Sequence, residues 1–265
     1  MRKGASWASR FGAIVVALAF PLASLGVEYV PIPSGTLVSV IAGDAEPAPI
    51  AIDAFEMRVS PVTNAEFLAY VTREPAWRRG RAPSAFADAS YLHQWQAPTV
   101  PGNSASASQP VVSVSWFAAE AFCESEGAHL PTWYEWEYVA AADETHRDAR
   151  ADPAWRARIL AWYARPSNEA LANVGGAANA YGVRDLHGLV WEWVDDFNSL
   201  LVSADSRNQG DADKLQYCGA GAINLKDRDN YAVLMRIALL SSLGAADTTR
   251  NLGFRCARNT PKAAR

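Results

Sequence analysis

The sequence predicts a loop-rich domain in which short strands and short helices are pinned by buried rings, rather than a long regular bundle. Two observations carry that expectation. Ten Trp, nine Tyr and nine Phe occur beside 17 Gly and 15 Pro, so large apolar anchors alternate with turn formers. The periodic segments are also short, each closed by a cap or a breaker. The chain has 265 residues, 50% hydrophobic and 20% charged, with a mean hydropathy of −0.08. That is a globular composition, long enough for one large domain or two small ones.

The elements follow in order. Arg2, Lys3 and Arg10 precede an apolar run from Phe11 to Phe20, then Pro21 and the small-residue stretch Ala23-Ser24-Leu25-Gly26. This is the layout of a secretory signal over 1–26, with an uncleaved anchor as the other reading, and it leaves 27–265 as the working domain. The run is shorter than the roughly 20 residues of a comfortable membrane span. Residues 28–41 (EYVPIPSGTLVSVI) read as strand, turn and strand, and Ile50-Ala-Ile52 and Phe55-Glu-Met57 alternate like strands. Thr63 and Glu66 stand at capping-box spacing and open a helix over 64–72. Residues 73–110, rich in Pro, Ala, Ser, Gly and Arg and carrying Trp77 and Trp95, read as a long surface excursion. Ser115 caps a second helix with Ala119, Phe122 and Cys123 on one face and Gly127 at its end. Thr132 and Glu135 form a second capping box, and residues 144–172 read as partly helical.

Charge and cysteines narrow the function classes. Removing 1–26 takes away three cations and no acids, leaving 21 basic and 28 acidic residues, a net charge of −7. Such a surface disfavours phosphate backbones, so nucleic acid is excluded as a main partner; no membrane contact is expected beyond the signal segment. Three cysteines, Cys123, Cys218 and Cys256, in an exported chain imply one disulfide and one leftover thiol, and composition does not say which.

The segment PVVSVSWFAAEAFCESEGAHLPTWYEWEYVAAA (110–142) resembles the formylglycine-generating-enzyme, or sulfatase-modifying-factor, family. Three further blocks match in order: FEMRVSPVTNAEFLAYV (55–71), NAYGVRDLHGLVWEWVDDF (179–197) and NLGFRCAR (251–258). The resemblance implies a C-type-lectin-like α+β fold with little regular secondary structure. It also implies a copper-dependent oxidase that turns a substrate cysteine into formylglycine through two cysteines, soft thiolates suited to Cu(I).

The cysteine pair does not carry over. Counting back from NLGFRC puts Arg236 on a family arginine, the second cysteine on Ala232 and the first on Asp227. Anchoring on CGAGA (218–222) moves the first to Asn224. The resemblance does imply a Cys123–Cys256 disulfide; the family's second bridge falls on Ala140 and Ile237, absent together. Its first calcium site begins at Ala172-Asn173, which makes Asn173 a calcium candidate, and its second has Leu189 at the expected Asn position.

Several residues keep two readings. Cys218 is either an inert buried thiol or a copper ligand, redox thiol or intermolecular bridge, with Met235 as a thioether partner or as core. Asp227 and Arg228 form either a solvated turn or a remodelled groove with Arg236. No two of His93, His129, His146 and His187 have helical metal-pair spacing; His129 and His187 read as structural, and His93 is the one to test for ligand contact. Glu192, Asp195 and Asp196 read as architectural.

Three functions follow from the resemblance. The chain is expected to be a periplasmic or secreted accessory protein assisting maturation of a client protein or peptide, and it looks like the accessory proteins associated with copper nitrite reductases. Its alternatives are an enzyme with altered oxidative chemistry and a lectin-like module holding a peptide or glycan on Trp77 and Trp95.

Overall fold

Side-chain caps set where the helices begin. In the computed structural model, which describes residues 28–39, 49–165, 169–198 and 231–260, α1 (Asn64–Arg73) and α3 (Trp133–Ala140) both start on full capping boxes, Thr63 with Glu66 and Thr132 with Glu135. Helix α2 (Trp116–Ser125) is capped by Ser115 and ends at Gly127, whose φ of 66° suits a residue without a Cβ. Helix α4 (Pro153–Tyr163) uses Asp152 as cap and proline in its first turn. Helix α5 spans Tyr231–Ser241.

The strands are short and their partners are remote. Strand β1 (Tyr29–Ile32) pairs with β4 (Phe55–Arg58), and β4 with β9 (Ala257–Asn259), in an antiparallel sheet of order β1-β4-β9. Strand β2 (Gly35–Leu37) turns away from β1 and pairs instead with β3 (Ile50–Ile52). A small hairpin joins β5 (Trp95–Ala97) to β6 (Val100–Pro101), and β7 (Trp191–Glu192) runs parallel to β8 (Leu252–Gly253). This is the mixed α+β chain with little regular structure that the residues lead one to expect.

Rings fill the core. Phe67 lies among Tyr70, Trp95, Phe122 and Phe254 at centroid distances of 5.5, 6.4, 5.8 and 6.1 Å. Beside them Cys123 of α2 is bonded to Cys256, 133 residues away. Closing a loop of that length is worth about 5 kcal/mol in the chain-entropy picture. A buried ion pair links two of the sequence blocks. Arg255 Nη2 donates to Glu192 Oε1 at 2.7 Å, its Nε to Oε2 at 2.9 Å, and Trp136 Nε1 donates to the same Oε2 at 2.8 Å. Both charged side chains have zero exposure.

Two expectations need correction. The 73–110 segment is not merely a surface excursion: Leu92 and Trp95 are buried in the main core, and Trp95 Nε1 donates to Asn64 Oδ1 at 3.1 Å. The segment is held down because Asp88 accepts from Thr248 N and Oγ1 at 3.0 and 2.7 Å. Met235 is not core. The buried stripe of α5 is Ala232, Arg236, Ile237 and Leu240, and Met235 falls outside it with 39% exposure.

Candidate functional site

Helix α5 carries two of the positions picked out by the resemblance, and the structure buries both. Ala232 packs into a small cluster with Ala149, Trp155 and Ile159, so α4 lies over the point where a family cysteine is expected. A methyl group there offers no donor to a metal, and Cu(I) does not fit at this position. The other cysteine positions, Asp227 or Asn224, lie outside the described residues, as do Cys218 and Arg228.

Arg236 is a core residue rather than a groove residue. Its guanidinium lies 3.6 Å from the centroid of Trp136 and 5.9 Å from that of Trp133, and Nη2 donates to the Glu192 carbonyl. Burial lowers its pKa to about 10, and its Nε has no hydrogen-bond partner. His187 packs against the same tryptophan. Its Nε2 meets the Ala140 carbonyl at 2.9 Å, and Trp136, Trp155 and Tyr163 surround the ring edge to face. Desolvation lowers the imidazole pKa to about 4. The ring is therefore neutral at physiological pH, with Nε2 protonated toward the carbonyl and Nδ1 unpaired. Tyr163, partly buried beside them, is raised to about 12 by the same desolvation.

A cleft opens along α4 from this cluster. Trp155, Ile159 and Trp162 form one wall, the 176–188 loop the other, and His187 lies at the base of a hollow of about 280 Å³. Past Trp162 and Gly188 it continues into a second hollow of about 210 Å³, lined by Tyr163, Trp191 and Leu189. Its walls are aromatic and its rim carries both signs of charge: Arg158 pairs with Glu144 at 3.0 Å, and the Asp185 carboxylate accepts from Gly175 N and Gly176 N at 2.8 and 2.9 Å. Aromatic walls with a few convergent polar groups suit a side chain or small molecule of mixed polarity. The sequence carries a signal for this wall, since Trp155, Ile159 and Trp162 stand at i, i+4 and i+7.

The remaining candidates do not join the cleft. Asn173 is exposed and its Oδ1 accepts from Ser106 Oγ at 3.3 Å; among the described residues no group of three His, Cys, Asp or Glu could hold a metal ion. His93 Nδ1 lies 3.0 Å from Ser113 Oγ and 3.2 Å from the Ser90 carbonyl, at a turn where Ser113 has φ 55°. His129 pairs with Ala257 across an isolated bridge. With Trp95 sealed in the core, the ligand platform expected of Trp77 and Trp95 does not form. No helix among the described residues is long and apolar enough to cross a membrane.

Comparison with known proteins places these features. A family model described as sulfatase-modifying factor enzyme 1-like domain matches residues 21–260. The formylglycine-generating enzyme of Streptomyces coelicolor is 32% identical over 57% of this chain and 52% of its own. The hercynine oxygenase of Mycolicibacterium smegmatis is 29% identical over 55% of this chain and 38% of its own. A Bos taurus protein called inactive C-alpha-formylglycine-generating enzyme 2 is 29% identical over 62% of this chain and 55% of its own. The chain thus spans about half or less of the length of these relatives.

Proposed function

The chain belongs to the sulfatase-modifying factor enzyme 1-like family, and from that premise we propose that it is an exported accessory protein assisting maturation of another periplasmic protein, not a copper-dependent formylglycine oxidase. The observation that carries this reading is Ala232, a methyl group buried beneath Trp155 and Ile159 where the family's thiolate chemistry calls for a cysteine. A relative named as inactive is compatible with a scaffold kept for binding. The α4 cleft, with aromatic walls and a two-signed rim, then serves to hold a segment of the client. Copper nitrite reductase is the client type the sequence resemblance suggests.

Two measurements test this. The reduced full chain, given Cu(I), oxygen and a cysteine-bearing peptide of sulfatase type, is expected to form no formylglycine by mass spectrometry. A periplasmic copper reductase produced with and without the chain is expected to lose several-fold in copper-loaded enzyme when the chain is missing. Formylglycine turnover, or equal copper loading in both cases, refutes the proposal. A second reading, altered oxidative chemistry, is favoured by the similarity to a protein named hercynine oxygenase; oxygen consumption coupled to a substrate held in the cleft would select it.

A further inference from the structure

The tryptophans divide by what their indole N–H groups do. Trp95, Trp116, Trp133, Trp136 and Trp193 each donate to an oxygen of the protein. Trp155, Trp162 and Trp191, which all line the α4 cleft, donate to no described group, and none of these nitrogens is sealed from solvent. Trp77, which packs on Phe86 and lines neither hollow of the cleft, is the other described tryptophan without an acceptor. Water satisfies such donors until a ligand's acceptor takes its place.

The rings of the cleft form notches rather than a flat platform. Tyr163 meets Trp162 at 4.5 Å and 72°, and Trp191 at 4.9 Å and 78°, so neighbouring faces stand nearly at right angles. Trp155 and Trp162 lie two helical turns apart on α4, about 10 Å along its axis. The charges around them are close to balanced. Arg158 pairs with Glu144, Arg165 and Glu169 both line the second hollow, and Arg184 donates to the carbonyl of Gly176, whose N–H binds Asp185.

We propose that the cleft takes a proline-rich segment in the polyproline II conformation, with the indole N–H groups of Trp155, Trp162 and Trp191 donating to its backbone carbonyls. The inference rests on the reading of the cleft as the holder of a client segment, and it names the chemistry of that segment. Such a chain offers carbonyl acceptors and rigid apolar rings but few N–H donors of its own. That is the complement of an aromatic wall with unused donors. Three residues of polyproline II advance about 9 Å, close to the spacing of Trp155 and Trp162, so successive turns of the ligand meet successive rings. A sugar needs an open ring face, which near-perpendicular rings cut short. A polyanion or polycation needs a surface of one sign, which the rim does not supply. A chain already extended also loses little conformational freedom on binding.

The test is calorimetric titration of the full chain with a blocked peptide of repeated Ala-Pro-Pro and with an Ala-Gly-Ser peptide of equal length. The first is expected to bind saturably and the second several-fold more weakly. Trp162→Phe keeps a ring but removes the donor, and should weaken binding by roughly two- to tenfold. Trp77→Phe removes the same donor away from the cleft and should change nothing. Both side chains are half-buried, so unchanged melting confirms that each variant folds. No saturable binding, equal affinity for the two peptides, or equal affinity in the two variants overturns the proposal. Peptide binding with copper loading of the reductase indifferent to the chain leaves this inference standing and overturns the accessory role alone; chain-dependent loading without peptide binding does the reverse.

Discussion

Replacing Glu192 with glutamine tests the account of the core most severely. The change keeps the size and one acceptor oxygen but removes the charge that Arg255 faces. The native carboxylate accepts from Arg255 Nε and Nη2 and from Trp136 Nε1, at zero exposure. The amide nitrogen brings donors against a guanidinium that has only donors, and Arg255 is left as an uncompensated buried cation. Its bonds to the carbonyls of Arg58, Val59 and Arg184 remain, at 3.2, 3.2 and 2.9 Å. Breaking one side of such a pair costs about 3–5 kcal/mol, which for a domain of this size lowers Tm by roughly 6–20 °C. Trp136→Phe removes one donor and part of the ring on which Arg236 and His187 pack, and should cost about 1–3 kcal/mol for the lost bond and more for the space left behind. Replacing Glu192 and Arg255 together by Leu and Met should cost clearly less than the sum of the single changes. Calorimetric melts of the oxidised protein supply every term. If Glu192→Gln moves Tm by less than about 3 °C, the pair is not buried as described and the reasoning fails.

Two further outcomes follow from the geometry. His187 is held neutral with its pKa lowered to about 4, so between pH 6.5 and 4 the unfolded chain takes up a proton that the folded chain refuses; the stability tied to this ring is intact above pH 6.5 and lost on acidification, by about 3 kcal/mol in total. His187→Gln, which can still donate to the Ala140 carbonyl, should flatten the stability profile over that window in urea titrations, and parallel profiles would refute the assignment. Gly253→Ala should destabilise by about 1–3 kcal/mol, since a Cβ there would lie 2.6 Å from the Val111 carbonyl oxygen; an unchanged urea midpoint would show that the β7–β8 region yields more easily than the packing suggests.

Most of the fold was legible because its signals are local. Capping boxes at Thr63 and Thr132 and the cap at Ser115 fix helix starts within a few residues, and alternation in 50–57 fixes two strands. What escaped is non-local. Trp95 stands in a stretch whose composition says surface, yet one hydrogen bond to Asn64 and the Asp88–Thr248 clasp draw it inside. Strands β1 and β2 are separated by a short turn that invites a hairpin, but each finds another partner. At the candidate site, residue identity at Ala232 and Arg236 was readable and environment was not. That Arg236 is sealed against Trp136, and that α4 covers Ala232, depends on contacts between helices far apart in the chain.

The position of β9 bears on the order in which the molecule can assemble. The sheet begun by residues 29–32 and 55–58 acquires its third strand only from residues 257–259, and the counter-ion of Glu192 and the partner of Cys123 arrive on the same few residues. A ribosome working at about 5–20 residues per second needs on the order of tens of seconds to reach them. Until then Glu192 has no cation against which it can be buried, and Cys123 has no thiol with which to pair. Productive folding must wait for residues 255–259, and nonsense mutations as late as codon 250 should yield chains cleared by proteolysis rather than shortened working proteins.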